Sequence, residues 1–129
     1  MISAMVDLLA GCYQAGNLDQ MEAIARSLLA AIPEDTVALQ FLGLALYLGG
    51  RLDDARLVFL RAVAPPRGQP PATTCEQARE ASLRLATRPG SGLAGAWVRI
   101  ASILRDYGLR EAARRARRAA VASSLDRHG

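Results

Sequence analysis

Lysine is absent from this chain of 129 residues, and histidine occurs once, at His128 beside the C-terminus. A Ser–His–acid or Cys–His arrangement needs an ordered imidazole next to its nucleophile, which a terminal histidine does not offer. No catalytic residue is therefore assigned, and the expectation is a protein that is not an enzyme. Cysteine is scarce as well: Cys12 and Cys75 stand 63 residues apart, without a CxxC spacing and without a nearby histidine. That pattern suggests neither a metal site nor a disulfide framework, and two buried free thiols fit a reducing cytoplasm. No metal or cofactor is expected. Valine and isoleucine together number 11, against 25 alanines and 19 leucines, and only six residues are aromatic. So few strand-favouring residues exclude most all-β folds. Disorder is excluded by the 51% apolar, 22% charged balance, and a chain of this length buries a real core as one domain. No segment approaches the roughly 18 consecutive apolar residues of a membrane span.

The tetrapeptide Leu9-Ala10-Gly11-Cys12 has the form of a lipoprotein cleavage box, yet Asp7 interrupts the apolar stretch and the first basic residue is Arg26. A signal of that kind requires a basic leader and an unbroken apolar run of about 7–15 residues. A cytoplasmic location is expected instead.

All 16 basic residues are arginine, the codon bias of a GC-rich, bacterial genome, so each single arginine carries less functional weight. The charge is uneven. Residues 1–64 hold 4 Arg against 7 acids, and residues 65–129 hold 12 Arg against 5. Within the last helix Arg110, Arg114, Arg117 and Arg118 share a stripe roughly 100° wide, from which Arg115 departs. Three uses compete for this stripe: a solvated face, attraction to an acidic protein or to the acidic half of a second copy in a homo-oligomer, and nucleic-acid binding. No aromatic residue interleaves the arginines, which makes nucleic acid the weakest of the three.

Sliding the sequence against itself reveals a period. Gly16-Asn17-Leu18-Asp19 and Gly50-Arg51-Leu52-Asp53 lie 34 residues apart, as do Tyr13 and Tyr47. A second copy carries Leu39, Leu42, Gly43 and Leu46 on its first helix and Ala55 and Phe59 on its second. A first, weaker copy carries Met5, Leu8, Leu9 and Cys12, then Met21, Ala25 and Leu28. A third copy places Trp97, Ile100, Ala101 and Leu104 in register with a turn at Gly108, followed by Ala112, Ala116 and Ala119 after a turn one residue shorter. Gly43 and Ala55 are expected to touch across the helix pair of the second copy. Seven helices are expected, over 3–15, 19–32, 36–48, 53–64, 74–87, 93–107 and 109–125.

The period and these residues resemble the tetratricopeptide repeat, with repeats over about 2–35, 36–69 and 94–127 and an insertion at 65–93 holding one extra helix. The resemblance implies an all-α, right-handed helical-hairpin solenoid whose first helices line a concave groove for a peptide or partner helix. Carried over residue by residue, the groove comprises Val6, Ala10, Tyr13 and Gln14, then Val37, Gln40, Leu44, Tyr47 and Leu48, then Val98, Ser102 and Arg105. The basic and asparagine clamp with which some members hold a C-terminal carboxylate is missing. The expected function is a protein-interaction module, scaffold-like or similar to the chaperones of type III secretion; the alternative is nucleic-acid or anionic-surface binding through the arginine helix. Helix 36–48 is apolar nearly all round and must be covered on every side, by neighbouring helices including 74–87 or by a partner segment.

The insertion opens with Pro65-Pro66-Arg67-Gly68-Gln69-Pro70-Pro71, too rich in proline for a helix, and Thr73 and Glu76 have the spacing of a capping box. Helix 74–87 either interrupts the repeats or pairs with 93–107, leaving 109–125 as a cap. Gly90-Ser91-Gly92-Leu93-Ala94-Gly95 matches a dinucleotide-binding pattern in letters only, since no strand precedes it. A flexible link between helices accounts for it.

Overall fold

The computed structural model describes residues 2–63, 73–89 and 92–124. Seven helices run through them: α1 (Ile2–Ala15), α2 (Leu18–Ala31), α3 (Thr36–Leu48), α4 (Leu52–Val63), α5 (Thr73–Ala86), α6 (Ala94–Asp106) and α7 (Arg110–Ser124). Among the described residues there is no strand. The fold is all-α, and every helix starts and ends within one residue of its expected bounds. The proline-rich stretch 65–71, Gly90, Ser91, His128 and the side chains of Thr73, Cys75 and Glu76 lie outside what is described.

One turn is used three times. The amide of Gly16 donates to the Tyr13 carbonyl at 3.2 Å and that of Asn17 to Cys12 at 2.9 Å; Gly50 donates to Tyr47 at 3.1 Å and Arg51 to Leu46 at 2.9 Å; Gly108 donates to Arg105 and Leu109 to Leu104, both at 2.9 Å. This paired closure of a helix end needs a left-handed residue, and the glycines supply it at φ +73°, +87° and +80°. The next residue already opens the following helix. Asn17, Arg51 and Leu109 accept through their carbonyls from the amides of Met21, Ala55 and Ala113. So short a link folds the two helices back on each other, giving the hairpins α1–α2, α3–α4 and α6–α7.

The third turn is therefore as long as the other two, contrary to the shortening expected from sequence. Ala113, not Ala112, corresponds to Ala55, and exposed Arg117 corresponds to Phe59. Alanines at both 112 and 113 made the alignment ambiguous by one residue, and the backbone hydrogen bonds resolve it.

Side-chain caps reinforce two starts. Asn17 Oδ1 accepts from the Gln20 amide at 3.2 Å and Asp35 Oδ2 from the Ala38 amide at 3.0 Å. Asp53 and Asp54 lie inside the first turn of α4, where the helix dipole favours a carboxylate.

Helix α3 is the centre of the molecule. Every residue from Val37 to Leu46 is buried, because α2, α4, α5 and α6 all pack on it. The cover that its all-round apolarity demands comes from this chain. Gly43 makes room for α4: a Cβ there would sit 2.8 Å from the Phe59 ring, so Phe59, rather than Ala55, supplies the atoms nearest to this glycine. On the α6 side Phe41 meets Trp97 edge-on, ring centroids 5.2 Å apart, a favourable aromatic geometry.

Candidate binding cleft

Helix α5 decides which of the expected groove positions remain open. It packs on α1 and α3, while α6 takes α7 as its hairpin partner. Val6 and Ala10 on α1 and Val37 and Leu44 on α3 are buried in the core. The other positions are dispersed. Tyr13 is half-buried with its ring 3.7 Å from where a Cβ on Gly95 would stand, and Gln14 Nε2 donates to the Gly92 carbonyl at 3.3 Å. Tyr47 is half-buried and edge-on to Tyr107 at 6.3 Å, with half-buried Leu48 beside it in sequence. Val98, Ser102 and Arg105 are exposed on α6. These positions thus divide between the core, intramolecular contacts and separate surface sites.

Among the described side chains of α5, those buried are Ser82 and Ala86. Ser82 Oγ donates to Asp35 Oδ2 at 3.0 Å, and the Ala86 carbonyl accepts from Trp97 Nε1 at 3.0 Å and from Ser123 Oγ at 3.2 Å. That carbonyl lies at the C-terminus of α5, where backbone acceptors commonly take donors from beyond their own helix. The last turn of α5 is thereby tied to α6 and α7 at once.

Gln40 is the expected groove residue that does meet an open recess. A cleft of about 460 Å³ lies where α3, α4, α5, α6 and α7 converge. Thr36 and Gln40 of α3 line one side and Leu83 and Thr87 of α5 another; Ala62 and Trp97 are contributed by α4 and α6. Helix α7 closes it with Ala112, Ala116, Ala119 and Ala122, and with Arg115 and Arg118. Four small side chains on α7 leave unfilled the space that leucines would occupy, and this is the physical origin of the cleft.

The polar groups of the cleft are sparse, and some are committed within the chain: Thr87 Oγ1 donates to the Leu83 carbonyl at 2.8 Å and Trp97 Nε1 to that of Ala86. Gln40 is only 6% exposed as a residue; among the described residues its carboxamide makes no hydrogen bond, and its polar atoms keep contact with solvent rather than being sealed in the core. Arg115 and Arg118 likewise face no carboxylate within ion-pair distance among the described residues, whereas Arg114 pairs with Glu111 at 3.2 Å. No acidic residue lines the cleft among those described. Leu83, 45% exposed, adds an apolar side chain at the opening.

Sequence reasoning found Gln40 and Arg118 but missed Thr36, Leu83, Thr87, Trp97 and Arg115. For Arg115 a signal existed: its departure from the stripe turns it toward the cleft. Arg110, Arg114, Arg117 and Arg118 are all exposed on α7, and Val121, 54% exposed, continues their face.

Two groups away from the cleft have displaced ionisation. The hydrogen bond from Arg26 holds Glu22 below the usual carboxylate range, with Arg51 acting in the same sense against partial burial. Burial, with Tyr47 beside it, pushes the Tyr107 hydroxyl up. Both belong to packing between helices. Among the described residues there is no cluster of His, Cys, Asp or Glu that could hold a metal ion, and no helix is long and apolar enough to cross a membrane. Comparison with protein-family models, curated proteins and solved structures gives no match to this chain.

Proposed function

We propose that the protein is a non-enzymatic, cytoplasmic interaction module, built as a right-handed helical-hairpin solenoid similar to tetratricopeptide proteins, that holds a segment of a partner protein in the cleft. The solenoid reading is supported by three hairpins closed by one hydrogen-bond pattern, the first two 34 residues apart and the third displaced by the length of α5 and its links. The observation that carries the binding reading is the cleft itself: an apolar recess of about 460 Å³, in the size range of binding pockets, with a few convergent polar groups left unpaired. A recess floored by alanine admits apolar side chains from a helix or extended strand, the helix-in-groove mode that the repeat pattern implies.

A photo-crosslinking amino acid placed at Leu83, in the cleft, tests this against the same group at Leu57, which is exposed on α4 and does not line the cleft. In the native cell Leu83 is expected to yield a discrete crosslinked protein that Ala122→Phe abolishes, and Leu57 none. Equal products from both positions, insensitive to that substitution, would contradict the proposal.

A further inference from the structure

The unpaired groups of the cleft carry information about the segment that fills it. We infer that this segment is acidic and apolar: one or two carboxylates set against Arg115 and Arg118, an apolar side chain on the alanine floor beside Leu83, and a polar group paired with Gln40. The inference rests on the cleft being a protein-binding site and deepens that reading by assigning the partner's charge.

Charge complementarity is the first ground. Two guanidiniums line one recess with no carboxylate within ion-pair distance among the described residues, and none of the other lining side chains described is acidic. Planar guanidinium forks recognise carboxylates, and they gain strength where an apolar floor limits solvent. Gln40 is the second ground. The residue is 6% exposed and its carboxamide, which still reaches solvent, makes no hydrogen bond among the described residues, so an incoming amide, carbonyl or carboxylate pairs with a group already held in place by α3.

A polynucleotide fits less well. The indole of Trp97 is buried and its N–H is committed to Ala86, so the cleft offers no open aromatic face on which a base could stack.

Selection of random dodecapeptides displayed on phage against the whole protein tests the inference, with affinities then measured through the emission of Trp97, the sole tryptophan. Selected sequences are expected to combine Asp or Glu with apolar residues at helical spacing. Their affinity should fall about tenfold or more in Arg115→Gln/Arg118→Gln. Loss of the same charge at Arg110→Gln/Arg117→Gln, outside the cleft, should change it by no more than about threefold. Gln40→Leu should weaken binding, and Ala122→Phe, at a half-buried position, should block it while circular dichroism remains that of the native fold.

Uncharged or basic peptides that Ala122→Phe still blocks would overturn the acidic assignment and leave the cleft as a peptide site. No selected peptide, or peptides indifferent to Ala122→Phe, would overturn both. Decanoate binding as tightly as the peptides, or a thymidine oligonucleotide displacing them, would reassign the cleft to a small amphiphile or to nucleic acid and overturn the inference.

Discussion

The hairpins α3–α4 and α6–α7 share a turn and both carry large buried side chains on the first helix, but their second helices contribute different volumes. In α3–α4 the second helix sends in a large residue, Phe59, whose ring Gly43 receives. In α6–α7 the large buried residues Trp97, Ile100, Ile103 and Leu104 are on the first helix, and the second presents only Ala112, Ala113, Ala116, Ala119, Ala120 and Ser123. Backbone chemistry at the glycine turn thus sets topology, while the partition of side-chain volume is free as long as it is complementary. The difference has a functional consequence. A second helix made of alanine cannot reach the space beside α4 and α5, and the cleft opens there.

The difference can be broken most severely at Phe59. Phe59→Ala should cost about 3–5 kcal/mol in denaturant unfolding, and Gly43→Leu about 1–3 kcal/mol through overpacking. If the volumes are exchangeable, the double variant should lose less than the sum of the single losses, as contacting sites do; strict additivity would show that Gly43 and Phe59 do not share one space. Gly50→Ala and Gly108→Ala test the opposite side of the comparison, because both turns need a left-handed residue and neither leaves a Cβ anything to strike within 4 Å. Each should lower stability by about 1–2 kcal/mol, and by similar amounts, despite the unlike cores beneath them.

The arginine face sharpens the same comparison at lower energy. Replacing Arg110, Arg114, Arg117 and Arg118 together by glutamine should leave stability within about 1 kcal/mol, since all four are exposed and the alanine face of α7 holds the helix. A larger loss in thermal unfolding would show that these arginines are structural. The smallest expected effect concerns Glu22, whose lowered pKa means that the folded state favours the carboxylate. Its contribution is present above the ordinary carboxylate range and lost as pH falls through the folded value. At this partly exposed site it should amount to less than about 1 kcal/mol, and Glu22→Gln should flatten the acid limb of the stability profile by that amount.

The hairpins were legible because their signals are local. Gly16, Gly50 and Gly108 mark turns by conformational need, and apolar periodicity marks the helices between them. The register of α7 was not legible to the residue, since a helix rich in alanine offers equivalent small side chains at adjacent positions, and only the hydrogen bond from Ala113 to Leu109 distinguishes them. The cleft was legible in fragments. Gln40 and Arg118 stood out through the repeat and the stripe, but Leu83, Thr87 and Trp97 join them through the docking of α5 on α1 and α3, a long-range event that no local pattern encodes. Val6, Ala10, Val37 and Leu44, which the repeat pattern alone places on an open face, are buried in the core.

Amide hydrogen exchange of the protein, alone and with the segment captured by crosslinking from Leu83, is the most direct test of the cleft as the binding site. Protection is predicted in three separated stretches, 36–40, 83–87 and 115–122, which only the cleft brings together. Protection confined to the outer face of α4 or to the first turns of α1, with those three stretches unchanged, would contradict it.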